Sequence, residues 1–117
     1  MKYFMKTAPD ESGAITPPTP EMMAAMGEYV QEGFRNGTLV ATGALDPRTT
    51  RIQSSGGTIS VTDGPFSEAK EAVVGWAIVE VKSKDEAIEL SKRFWKIVGD
   101  GEGTIQRIYD PNEVPES

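Results

Sequence analysis

The chain has 117 residues, a net charge of −6, and neither Cys nor His. This sets it as one domain with a single core and removes disulfides, thiolate sites, His-based triads and dyads, and most zinc or iron centres. Basic residues interspersed among acids argue against nucleic acid as a partner, no stretch approaches a membrane span, and Met1 to Thr7, with Lys2 and Lys6 and no apolar run behind, is unlike a signal peptide. The expectation is a cytoplasmic protein with no metal and no cofactor, in which any catalysis falls to carboxylates, Tyr, Lys, Arg or backbone groups.

Lys2-Tyr3-Phe4-Met5-Lys6 alternates and reads as a first strand. A Pro- and Thr-rich loop follows, with Pro17-Pro18-Thr19-Pro20 at its end. That spacing matches P-x-x-P, but Thr19 as N-cap with Pro20 as first helical residue explains it better. Glu21 to Arg35 is a helix whose apolar face is expected at Met23, Met26, Val30 and Phe34. Asn36-Gly37 stops it, and Gly33 predicts close packing on a sheet. Leu39 to Leu45 is a second strand, broken by Asp46-Pro47-Arg48. Arg51 to Ser54 and Thr58 to Thr62 form a hairpin around Gly56-Gly57.

Asp63-Gly64-Pro65-Phe66 then opens a charged arch, Ser67 to Glu71, before the most apolar run, Ala72 to Val81. An Asp opening a turn usually accepts from the N–H two residues on, but Pro65 has none. The Asp63 carboxylate must reach further along the backbone or face a cavity. Hairpin loops usually have about 2–5 residues, and longer ordered ones are more often functional. Ser83-x-x-Glu86 is a capping box. It opens a second helix with Ala87, Ser91, Phe94 and Val98 on one face, widened by Ile88, Leu90 and Trp95. Gly99, Gly101 and Gly103 follow a helix and precede a strand, so they read as a stop and turn, not a phosphate loop. Thr104 to Tyr109 is the last strand. The domain is expected over residues 1–110, with 111–117 a polar tail.

The order is strand-helix-strand, hairpin, strand-helix-strand, an α+β sandwich with both helices on one sheet face. In the run from Val73 to Val81 both alternating sets are apolar, so the second face must also be covered. A second copy of the sheet is the economical cover, predicting a homodimer with a pocket between the sheets.

Val61 to Glu71, with Gly75-Trp76, the opening Met1-Lys2-Tyr3-Phe4-Met5 and the Ser83-x-Asp85-Glu86-Ala87 helix start, resembles the YCII-related proteins that bear the DGPF motif. The resemblance spans nearly the whole chain apart from the tail. It implies a ferredoxin-like βαβ-hairpin-βαβ sandwich forming a dimeric α+β barrel. Relatives on that barrel include isomerases, monooxygenases and dehalogenase-like proteins acting on small organic molecules. The His-Asp pair proposed for some members does not transfer, because this chain has no His. Genes of the motif-bearing group often lie beside extracytoplasmic-function sigma factors, which implies a regulatory alternative.

Two functional expectations follow. One is a small-molecule pocket at the sheet-dimer interface, with Asp63 the candidate catalytic acid or base and Tyr3, Phe66, Glu68, Trp76 and Arg107 the candidate binding residues. Arg48 is an alternative cation, and Arg107 can equally be a structural partner of Asp63. The other is a non-catalytic regulatory or interaction module. The residues leave open whether the protein is an enzyme.

Overall fold

The computed structural model describes residues 1–7, 19–46, 48–63 and 74–113. Eight elements run in the order β1 (Lys2–Thr7), α1 (Pro20–Arg35), β2 (Leu39–Leu45), β3 (Thr50–Ser55), β4 (Thr58–Asp63), β5 (Val74–Glu80), α2 (Lys84–Val98) and β6 (Gly103–Ile108). A four-stranded sheet has the order β2-β5-β1-β6, and β3-β4 is a separate two-stranded sheet. All pairings are antiparallel. Placing β5 between the first two strands of the chain's first strand-helix-strand unit gives the split β-α-β arrangement.

The local signals explain the element ends. The Thr19 side chain accepts from the Met22 N–H, and Pro20 occupies the first turn, where its missing N–H costs nothing. Ser83 Oγ accepts from the Glu86 N–H at 3.2 Å. The return arm of this box lands one residue early, with Glu86 Oε2 accepting from the Lys82 N–H. Gly56 and Gly57 both have positive φ, 56° and 81°, as a tight hairpin turn between right-twisted strands demands.

Directly paired residues share a sheet face. Tyr3, Met5, Ala77, Val79, Ile105 and Arg107 therefore lie on one face, and Phe4, Lys6, Trp76, Ile78, Gln106 and Ile108 on the other. Both helices cover the first face. Its core is small: Tyr3, Val79, Val81 and Ala87 are buried, with Met5, Leu39, Leu90 and Ile105 packed against them. A bulge between Leu39 and Ala41 moves Val40 out of register.

Helix α1 differs from expectation in its rotation. Met23 and Phe34, expected on the inner face, are 63% and 49% exposed. Met26 and Val30 are half-buried as expected, and Met22, Ala25, Tyr29 and Gly33 join them in place of Met23 and Phe34. The cause is Gly33: a Cβ there would stand 2.9 Å from Leu39 Cβ, so the helix seats this bare backbone on β2. At about 100° per residue, the neighbouring Phe34 is then turned outward.

Strand β5 begins and ends inside the expected run. Val81 lies just beyond it, yet exchanges two backbone bonds with Met1. The arch residues 64–73 and the tail residues 114–117 lie outside the described residues.

Candidate functional site

A cavity of about 280 Å³ lies between the helices and the four-stranded sheet. Its floor is β5 and its neighbours: Gly75, Ala77 and Val79, flanked by Met5 and Thr7 of β1 and Thr42 of β2. Its roof is Met26, Val30 and Gly33 of α1 with Leu90 and Phe94 of α2. Trp95 and Gly103 close one end.

The space follows from the sequence of β5. Its outward residues are Trp76 and Ile78, whereas the inward residues preceding each are Gly75 and Ala77. Bulk that would fill the layer points the other way.

Polar groups at the cavity are mostly engaged. Thr7 Oγ1 accepts from the Gly75 N–H at 3.0 Å and donates to the Gly75 carbonyl at 3.5 Å. The Thr42 hydroxyl donates to the Trp76 carbonyl at 2.8 Å. The Tyr29 hydroxyl crosses between helices to the Leu90 carbonyl at 2.5 Å. Burial raises the Tyr29 pKa above its ordinary value, against the lowering effect of Arg93 and with a smaller raising effect from Glu32. Arg93 lies 5.1 Å over the Tyr29 ring and pairs with Glu32 at 3.4 Å.

Tyr3, Arg107, Trp76 and Asp63, the described residues among those expected from sequence, are not gathered in one place. Tyr3 is buried in the core and stands opposite Arg107 on the helix-covered face. Arg107 donates from Nη2 to Glu113 Oε2 at 3.1 Å and lies 4.7 Å over the Tyr109 ring. Its buried Nε finds no hydrogen-bond partner among the described residues. The Glu113 carboxyl is held below its usual range first by the Asp110 N–H and then by Arg107.

Trp76 is on the opposite face. It stacks with Phe4 at 6.3 Å and lies across the bare backbone of Gly43, although it also contributes to the cavity edge. Asp63 ends β4 in the separate hairpin, where its exposed carboxylate accepts from the Thr50 hydroxyl at 3.0 Å. Phe66 and Glu68 lie outside the described residues. Arg48 is bound to Asp46 through its backbone N–H and two guanidinium nitrogens. These bonds, the side-chain ones foremost, bring the Asp46 pKa down to about 2.

Sequence reading passed over Tyr29, Thr7 and Ala77. The available signal was the small inward set Gly75 and Ala77 beside a large outward set, which a sequence presents equally as close helix packing or as a void. Among the described residues no cluster of acidic side chains is arranged to hold a metal ion, and no helix is long and apolar enough to cross a membrane.

The fold and cavity define an α+β sandwich of the split β-α-β kind, with an apolar chamber between its layers. The sequence matches the YCII-related domain over residues 1–104, and the chain belongs to that family. It is 30% identical over 100 residues to the uncharacterized protein R00369 of Rhizobium meliloti (strain 1021), an alignment covering 81% of this chain and 77% of that one. Among solved structures it is similar to the 5-chloro-2-hydroxyhydroquinone dehydrochlorinase TftG from Burkholderia phenoliruptrix AC1100, in complex with 2,5-dihydroxybenzoquinone. That likeness has a TM-score of 0.44 and 12% identity, over 93% of this chain and 94% of that one.

Proposed function

We propose that this protein is a small-molecule-binding member of the DGPF-bearing YCII group and works as a homodimeric α+β barrel. The observation that carries binding is the apolar chamber of about 280 Å³ standing where a core would otherwise be packed. Its place beneath the helices differs from the interface pocket expected from sequence. The chain from Asp63 re-enters the sheet at Val74, next to Gly75 of the cavity floor. Phe66 and Glu68 belong to the intervening segment in sequence, and Asp63 is the residue we assign to any acid-base step. Binding alone accounts for the chamber.

The dimer is supported by the open sheet face. Phe4, Trp76, Ile78 and Ile108 are only half-buried there, and Lys2, Lys6 and Glu80 border them. An apolar centre with a charged rim is the anatomy of a protein interface. Sedimentation velocity tests it: the wild type is expected to run as a dimer and Ile78→Lys as a monomer, and a monomeric wild type refutes this part. Native mass spectrometry of freshly purified protein tests the chamber, with a retained organic molecule lost on Ala77→Ile as the expected result.

A second reading is the non-catalytic interaction module. It is favoured by the hairpin β3-β4, where Ile52, Ile59 and Val61 share one face at 68%, 68% and 64% exposure. Serine at all three positions would then abolish partner binding while leaving chamber ligands unaffected.

A further inference from the structure

We infer that the chamber is selective for an uncharged, flat molecule of about two fused rings, held by shape and stacking with no ion pair. This rests on the reading that the chamber binds a ligand. An engineered apolar cavity of about 150 Å³ accepts benzene, and the volume here, about 280 Å³, is nearly twice that. The floor at Gly75 and Ala77 is close to bare sheet backbone, which favours a planar occupant. At the far wall Phe94 and Trp95 meet edge to face at 5.1 Å and 83°. Together they offer an aromatic guest both of the geometries that ring pairs prefer.

The charge argument is independent of shape. Glu32 and Arg93, the charged helix residues of the lining, neutralise one another, and Arg93 is further engaged by the Tyr29 ring. Lys6 also borders the chamber, but its side chain belongs to the opposite sheet face, beside Trp76. Among the described residues, an anion entering beneath the helices would lose hydration and meet Arg93 already paired, with Lys6 at the rim the one cation not paired there. Polar anchors remain in the Thr38, Ser91 and Thr104 hydroxyls, which line the chamber and make no hydrogen bond among the described residues; that of Ser91 stands on α2 beside Leu90. It suits a single hydroxyl or carbonyl on the guest.

Isothermal titration of the full chain at pH 7.5 with 2-naphthol and 2-naphthoate tests this. The expected result is that 2-naphthol binds about 30-fold or more tighter than 2-naphthoate. Ser91→Ala should weaken 2-naphthol by about 3–10-fold, and Ala77→Ile should abolish its binding. Equal or tighter binding of 2-naphthoate overturns the selectivity inference and leaves the chamber reading in place. Binding of neither probe, or 2-naphthol binding that Ala77→Ile leaves unchanged, overturns the chamber reading itself.

Discussion

Ala77→Ile asks whether the space above β5 is empty in solution. The side chain points into the chamber, between its cross-strand neighbours Met5 and Thr42. The substitution adds three carbons, each contributing about 0.8 kcal/mol when removed from water. The lost rotamer freedom of Ile opposes this by about 0.5–1 kcal/mol. A strand position suits a β-branched residue, so no further backbone cost is expected. The net gain is about 1.5 kcal/mol. With a urea slope of about 1.5 kcal/mol/M, the unfolding midpoint should rise by about 1 M. The slope itself should not change, because the surface exposed on unfolding is nearly the same. A packed layer would respond in the opposite sense, since overfilling costs about 1–3 kcal/mol. A lowered midpoint at unchanged slope therefore refutes the reasoning.

Tyr29→Phe removes the inter-helix bond to Leu90 and should cost about 1 kcal/mol by urea unfolding at pH 7. Because burial raises the folded pKa of Tyr29 above its ordinary 10.0, the unfolded chain releases this proton first. The stability it supports is complete below about pH 10 and is lost as pH rises through the folded value, so the Phe variant should lack this part of the alkaline decline in a midpoint-versus-pH series. Asp46 runs the other way: its folded pKa is about 2 against an ordinary 3.8, so its contribution is present above about pH 4 and fades between about pH 4 and 2. Carboxyl ¹³C shifts should show Asp46 titrating near that low value, and Arg48→Met should return it to the ordinary range. Gly103→Ala should destabilise by about 1–3 kcal/mol, because its Cβ would stand 2.6 Å from the Lys6 carbonyl oxygen, a backbone atom with no room to yield.

The fold was largely legible because its signals are local. The Thr19-Pro20 and Ser83 caps, the Gly56-Gly57 turn and the two-sided β5 each act within a few residues, and each is found where the sequence places it. What escaped depends on contacts between elements. The rotation of α1 is set by Gly33 against Leu39, across a helix end and a turn. The Tyr29 hydroxyl reaches a carbonyl on a different helix, which no spacing within α1 reveals. The candidate site was less legible for the same reason. Alternation assigns Tyr3 and Trp76 to opposite parities within their strands, but only the register shows that Trp76 joins Phe4 on the uncovered face while Arg107 joins Tyr3 beneath the helices. Asp63 stood out chemically, yet it ends a hairpin that, among the described residues, forms a two-stranded sheet of its own.

Leu45 and Val74 face each other in the β2-β5 register. Everything from 46 to 73, hairpin and motif included, therefore leaves and re-enters the sheet at adjoining points. In topological terms this excursion is an outsized loop on an otherwise ordinary two-strand connection. A tight turn grafted across that junction would spare every pairing of the four-stranded sheet and both helices. The β3-β4 hairpin within it can thus be lengthened or exchanged as a cassette without touching a scaffold pairing, leaving it free to diversify at a pace the layers beneath do not set.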